Sequence, residues 1–123
     1  MYEVLVEKTF SSAHFLRDYH GKDEPLHGHN WRVQVRFGGK KLVQPEEYLI
    51  DFVQVSGLLD KIIEKIDYKN INEVPPFDKK NPSAENIARW VYTEFARLQP
   101  SFKPACVTVW ETERGAASYS PDE

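Results

Sequence analysis

The chain has 123 residues, enough for one domain around one modest core, and its 41% hydrophobic and 28% charged content is that of an ordinary folded protein rather than a disordered one. A formal net charge of −3 with no long Lys/Arg run argues against nucleic acid as a partner. No apolar stretch approaches the roughly 20 residues of a membrane helix, and the acidic start MYEVLVEKTF does not read as a signal peptide, so no membrane partner and a cytoplasmic location are expected.

Residues 2 to 10 alternate, with Tyr2, Val4, Val6, Lys8 and Phe10 on one face, which predicts a strand that "SSAHF" extends or bulges from. Residues 17 to 25 are polar, with a Gly and a Pro, and read as a loop. Residues 29 to 37 alternate cleanly, Trp31, Val33, Val35 and Phe37 against Arg32, Gln34 and Arg36. Gly38 and Gly39 predict a turn, and "YLIDF" a short returning strand. Asp51 caps a helix whose apolar stripe runs through Val55, Leu58, Leu59, Ile62, Ile63 and Ile66, with Gln54 completing a capping-box pattern. After a connecting loop, Ser83 caps a second helix with Ile87, Trp90, Val91, Phe95 and Leu98 on its buried face, closed by Pro100. "ACVTVWET" and "AASYS" are two further strands joined by a short turn. The order is α+β, an antiparallel sheet with two helices on one face. Such a small sheet leaves two edges that pairing between subunits would cover.

The segment "DEPLHGHNW" raises the chemical question. His27 and His29 are two apart, a spacing that puts both side chains on one face of a strand. His14 ends the strand before and can supply a third imidazole. Three neutral imidazoles with an open fourth position form a known catalytic zinc arrangement, and nothing here suggests redox chemistry. An open zinc position polarises a substrate oxygen and needs a base beside it. Glu24, three residues before His27, is the first candidate and Asp23 the second; the bland alternative for each is a solvated loop carboxylate. His20 lies in the polar loop as a surface or lid residue. The lone cysteine, Cys106, sits in a buried-strand pattern and reads as structural.

Taken together, "FSSAHFL", "LHGHNW", "NPSAENIARWVY" and "VTVWET" resemble the 6-pyruvoyl-tetrahydropterin synthase family, which includes the 6-carboxy-tetrahydropterin synthases of queuosine biosynthesis. The resemblance spans residues 1–123 as one domain. It implies the tunnelling fold, with sheets of three subunits joined into a β-barrel, a homohexamer made as a dimer of trimers, and active sites at subunit interfaces. It further implies Zn(II) on His14, His27 and His29 and a pterin substrate anchored by Glu111, whose carboxylate would accept two adjacent ring N–H groups as a bidentate pair. Ser83 and Glu85 lie where the family frames the pterin; for both the plainer reading is helix capping.

The sequence departs from that pattern at the catalytic relay. Asp23 occupies the position of the usual cysteine, and Asp67-Tyr68 stands where the family has Asp-His. A thiolate activated by histidine cannot operate, and Cys106 is on the wrong strand. Glu24 instead gives E-P-L-H-G-H, similar to the E-x-x-H-G-H subgroup associated with 6-hydroxymethyl-7,8-dihydropterin formation from 7,8-dihydroneopterin triphosphate for folate synthesis. The resemblance thus points to a zinc-dependent lyase with Glu24 as base and Asp67 and Tyr68 as supporting groups. The alternatives are a 6-carboxy-5,6,7,8-tetrahydropterin synthase with a remodelled relay, and a zinc- and pterin-binding protein without catalysis. Arg17, Lys22 and Arg114 are candidate phosphate contacts whose plainer role is solubility.

Overall fold

A computed structural model describes residues 1–122. Two long strands, β1 (Tyr2–His14) and β2 (His27–Gly39), pair antiparallel in unbroken register from Tyr2 opposite Gly39 to His14 opposite His27. Helices α1 (Phe52–Glu64) and α2 (Ala84–Leu98) follow, with a 3-10 turn at Ile71–Glu73 between them. Strands β3 (Cys106–Thr112) and β4 (Gly115–Tyr119) complete a sheet ordered β1-β2-β3-β4, antiparallel throughout. The α+β class with an antiparallel sheet and two helices is as expected. No helix among the described residues is long and apolar enough to cross a membrane.

Alternation decides which residues meet the helices. Val6 and Phe10 of β1, Trp31, Val33, Val35 and Phe37 of β2, and Val107 and Val109 of β3 share one face and are buried. Against them pack Val55, Leu59, Ile62 and Ile63 of α1 and Ile87, Ala88, Val91 and Phe95 of α2. Trp90 and Leu98 are only partly buried, at the rim of this core. Burying each large aliphatic or aromatic side chain contributes about 1.5–3 kcal/mol, so this face supplies most of the folding drive.

Both helix starts are as read. Asp51 accepts a hydrogen bond from the Val53 N–H at 2.9 Å, and the Ser83 hydroxyl accepts from the Asn86 N–H at 3.1 Å. The second helix is also tied to the first, since Glu94 pairs with Lys65 at 2.6 Å and Arg97 at 3.1 Å. The hydrogen bond from Arg97, more than that from Lys65, holds the Glu94 carboxyl below its ordinary range against the opposing effect of burial.

Two readings of the β2–α1 connection are corrected. Gly38 and Gly39 do not turn; they continue β2 opposite Glu3 and Tyr2. A Cβ on Gly39 would lie 2.6 Å from Leu49 Cδ1, so this glycine admits Leu49 against the strand. "YLIDF" is not a returning strand: only an isolated bridge joins Val43 and Tyr48. Leu49 and Ile50 both turn toward the core while Tyr48 stays out, a succession that alternating strand geometry does not allow.

Two substitutions test this packing by denaturant unfolding. Phe95→Ala is expected to cost about 3–5 kcal/mol. Ser83→Ala, which removes one helix cap, is expected to cost about 1 kcal/mol.

Candidate metal centre

The strand register that builds the core also builds the site. His14 and His27 are direct cross-strand partners, and His29 faces Ser12. His29 shares the face of Trp31 and Val33, and Glu111 shares the face of Val107 and Val109. Four side chains therefore meet at one end of the helix-covered face, and His14, His27, His29 and Glu111 bring ligand atoms within 4.8 Å of one another. Trp31 forms the apolar floor, edge-on to His14 at 4.7 Å and to His29 at 5.3 Å between ring centroids. Its indole N–H donates to the Ser12 carbonyl at 3.1 Å, which fixes the ring.

Hydrogen bonding sets the tautomers. His14 Nδ1 lies 2.8 Å from the Pro82 carbonyl, and His27 Nδ1 lies 2.8 Å from the Pro25 carbonyl. A carbonyl oxygen only accepts, so Nδ1 carries a proton in both rings, and in the neutral form Nε2 is left as a lone pair. The Nε2 atoms of His14 and His29 are buried without a hydrogen-bond partner. Glu111 Oε1 nevertheless sits 2.8 Å from His14 Nε2 and 3.3 Å from His29 Nε2. In its neutral form His14 opposes lone pair to lone pair at that distance. A proton or a shared metal ion removes the conflict, and imidazole nitrogens backed by carbonyl acceptors are the usual form of metal-binding histidines. Burial, more than any neighbouring charge, lowers the His29 pKa, and His14 and His27 add to this against Glu111 and Glu24. Its neutral form is the one a metal takes.

Glu24 is placed beside this cluster by a double tie to Leu16. Its backbone N–H donates to the Leu16 carbonyl at 3.0 Å, and its Oε1 accepts from the Leu16 N–H at 2.9 Å. The residue is half-buried, and its charge acts on His29. Asp23 is exposed and accepts instead from the Asp18 N–H at 3.2 Å, closing the loop turn. His20 is exposed, packs edge-on against Tyr19 with centroids 4.3 Å apart, and stays outside the cluster.

The other expected residues are dispersed. Asp67 accepts from the Ser11 N–H at 3.1 Å and Tyr68 donates its own N–H to the Ser11 carbonyl at 2.8 Å. Tyr68 is 84% exposed, and the pair lines a separate hollow with Lys8, Asp60 and Glu64. Ser83 caps α2, and Glu85 is exposed in its first turn. Cys106 lies at the far end of β3, opposite Arg36, with no route to the histidines.

Sequence reasoning missed the clamp behind the site. Asn72 accepts from the Phe15 N–H at 2.8 Å and donates to the Phe15 carbonyl at 2.9 Å. Asn81 does the same for Arg17, at 2.8 and 3.0 Å. The Arg17 guanidinium donates to the carbonyls of Phe77 and Lys80 at 2.9 and 3.1 Å, so it is spent on backbone rather than offered to a phosphate. The only sequence signal was that both asparagines lie in the loop preceding α2.

Comparison with known proteins finds relatives over nearly the whole chain. The family model for 6-pyruvoyl tetrahydropterin synthase matches residues 3–122. The chain is 26% identical to the dihydroneopterin monophosphate aldolase of Pyrococcus furiosus, with 88% of each covered. It is also 26% identical to the 6-carboxy-5,6,7,8-tetrahydropterin synthase of Haemophilus influenzae, covering 97% of this chain and 99% of that one. The Caenorhabditis elegans 6-pyruvoyl tetrahydropterin synthase structure superposes with a TM-score of 0.84 at 22% identity, over 99% of this chain and 98% of that chain.

His27→Ala is expected to weaken divalent-metal binding by roughly 100-fold or more, since losing even an outer-shell partner costs about 10–100-fold. Equilibrium dialysis checks this, with circular dichroism to show that the fold is retained.

Proposed function

As this chain belongs to the 6-pyruvoyl tetrahydropterin synthase family, we propose that it is a Zn(II)-dependent lyase that cleaves the side chain of a 7,8-dihydroneopterin phosphate to give 6-hydroxymethyl-7,8-dihydropterin for folate synthesis. The observation that carries the reading is the placement of Glu24: a half-buried carboxylate, held by Leu16 at one oxygen, in the loop that leads into His27 and His29. No thiol is available for the alternative chemistry. The Pyrococcus furiosus relative, named as an aldolase on the monophosphate, supports carbon–carbon cleavage. The E-x-x-H-G-H pattern points to the triphosphate, so both esters are substrates to test.

His14, His27 and His29 would hold the zinc. When bound, the metal supplies Lewis-acid polarisation of a side-chain hydroxyl, which eases loss of its proton. Glu24 takes the proton of the 2′-hydroxyl. The C1′–C2′ bond breaks, its electron pair passes to C1′ in conjugation with the ring C6=N5 imine, and C2′ leaves as the aldehyde carbon of a phosphorylated two-carbon fragment. A proton then returns to C1′, which keeps its hydroxyl. Glu111, within ligand distance of the histidines, would leave the metal to them and anchor the pterin by accepting from its ring N–H and amino group, and Ser83 and Glu85 would frame the ring from the start of α2. Asp67 and Tyr68 face outward and would serve a site shared with another subunit. The unpaired edges of β1 and β4 support a hexamer with sites at subunit interfaces.

A second reading, a 6-carboxy-5,6,7,8-tetrahydropterin synthase, is favoured by the near end-to-end match to the Haemophilus influenzae enzyme. Product mass decides. With zinc and either dihydroneopterin phosphate, the expected pterin is the 6-hydroxymethyl compound, and a carboxy- or pyruvoyl-tetrahydropterin would overturn the proposal. Glu24→Gln is expected to lower turnover by about 10²–10⁴-fold while zinc and pterin binding persist. Undiminished turnover in that variant would remove Glu24 from the mechanism.

A further inference from the structure

The sheet face turned away from the helices holds a second constellation. Arg32 and Trp110 are cross-strand partners on β2 and β3, and both point to this face because Val33 and Val109 point into the core. The Arg32 guanidinium carbon lies 4.5 Å from the centroid of the Trp110 ring. This stacking orients the guanidinium, and among the described residues no ion pair engages it. The Arg32 Nε–H and the Trp110 indole N–H are both buried without an acceptor. Folded proteins rarely leave one such donor unmet, and here the two side chains that carry them both line one hollow.

That hollow measures about 240 Å³, and Thr9, Asn30, Trp31, Thr112 and Glu113 complete its lining. Its polar groups are turned toward donation. Asn30 Oδ1 already accepts from the Ser11 hydroxyl at 2.8 Å, which leaves the amide NH2 to donate. Thr112 Oγ1 accepts from the Arg114 N–H at 3.2 Å, which leaves its hydroxyl hydrogen free. Glu113 is the one opposing group.

We infer that this hollow is a binding site for a small oxyanion, a phosphate or carboxylate group, on the opposite face of the sheet from the histidine cluster. An oxyanion supplies only acceptors, suits a lining rich in donors, and gains charge-assisted bonds from the guanidinium. Glu111, between Trp110 and Thr112 in sequence, joins the histidine cluster on the other face. Trp31 borders both places, so His27→Ala is the variant that separates anion binding in this hollow from the proposed reaction.

Titration of the full-length protein with inorganic phosphate, and separately with acetate, at constant ionic strength against a chloride control, tests it through tryptophan fluorescence and calorimetry. Saturable binding of one anion per chain is expected, and the two arms identify the oxyanion class. Arg32→Met should weaken it more than tenfold, Trp110→Phe, which keeps the ring and removes the donor, several-fold, and Glu113→Gln should tighten it. His27→Ala should leave it unchanged. No saturable binding beyond chloride, equal binding by wild type, Arg32→Met and Trp110→Phe, or loss of binding in His27→Ala would overturn the inference. Trp110→Phe decides the matter should Arg32→Met fail to fold.

Discussion

The in-register pairing of β1 with β2 is the constraint on which the rest of the molecule depends. Both strands run 13 residues, and a slip of one position would turn every side chain of one strand to the wrong face. The register sets Phe10 opposite Trp31 in the core and His14 opposite His27 at its end. Core and candidate metal centre are therefore one surface, read at different distances along the same two strands. A change that disturbed the packing of Trp31 would reach the histidines through the indole that contacts two of them.

At the end of that surface the chain accepts an electrostatic conflict. Buried acceptors normally find donors, yet the two carbonyls of Pro82 and Pro25 take the only protons that neutral His14 and His27 can offer. Their remaining nitrogens converge with the Glu111 carboxylate. The structural role of the prolines is then double: each helps shape a loop, and each supplies the carbonyl that fixes an imidazole.

The loops that carry the chemistry are made rigid by side chains acting as backbone. Asn72 and Asn81 each bond both the N–H and the carbonyl of one residue, as a neighbouring strand would. They continue the sheet's hydrogen bonding past the end of β1 at Phe15 and Arg17. Arg17 then ties the same stretch to the carbonyls before α2. Glu24 inherits its position from this arrangement, because its anchor Leu16 lies between the two clamped residues.

Much of this was legible in the residues. Strict alternation in β2, the apolar stripes of α1 and α2, and the caps at Asp51 and Ser83 are local properties, set by backbone periodicity and nearest neighbours. So is the two-residue spacing of His27 and His29, and the absence of a thiol beside them. What no local pattern contained was distance along the chain. The short segment 48–52 looked like a strand because its composition suits one, but Leu49 packs on Gly39 and Asp51 is taken by the helix. Arg17 looked like a surface charge, since nothing nearby in sequence shows the carbonyls that capture it. Glu111 and Pro82 meet His14 only because β3 pairs with β2 beside β1 and the segment before α2 reaches the end of β1. The amino-acid order by itself determined the four strands of the sheet, the two helices and the identity of three ligand candidates; the tertiary structure alone decided which acceptors face one another, because unpaired charge and lone pairs are properties of an enclosure and not of a segment.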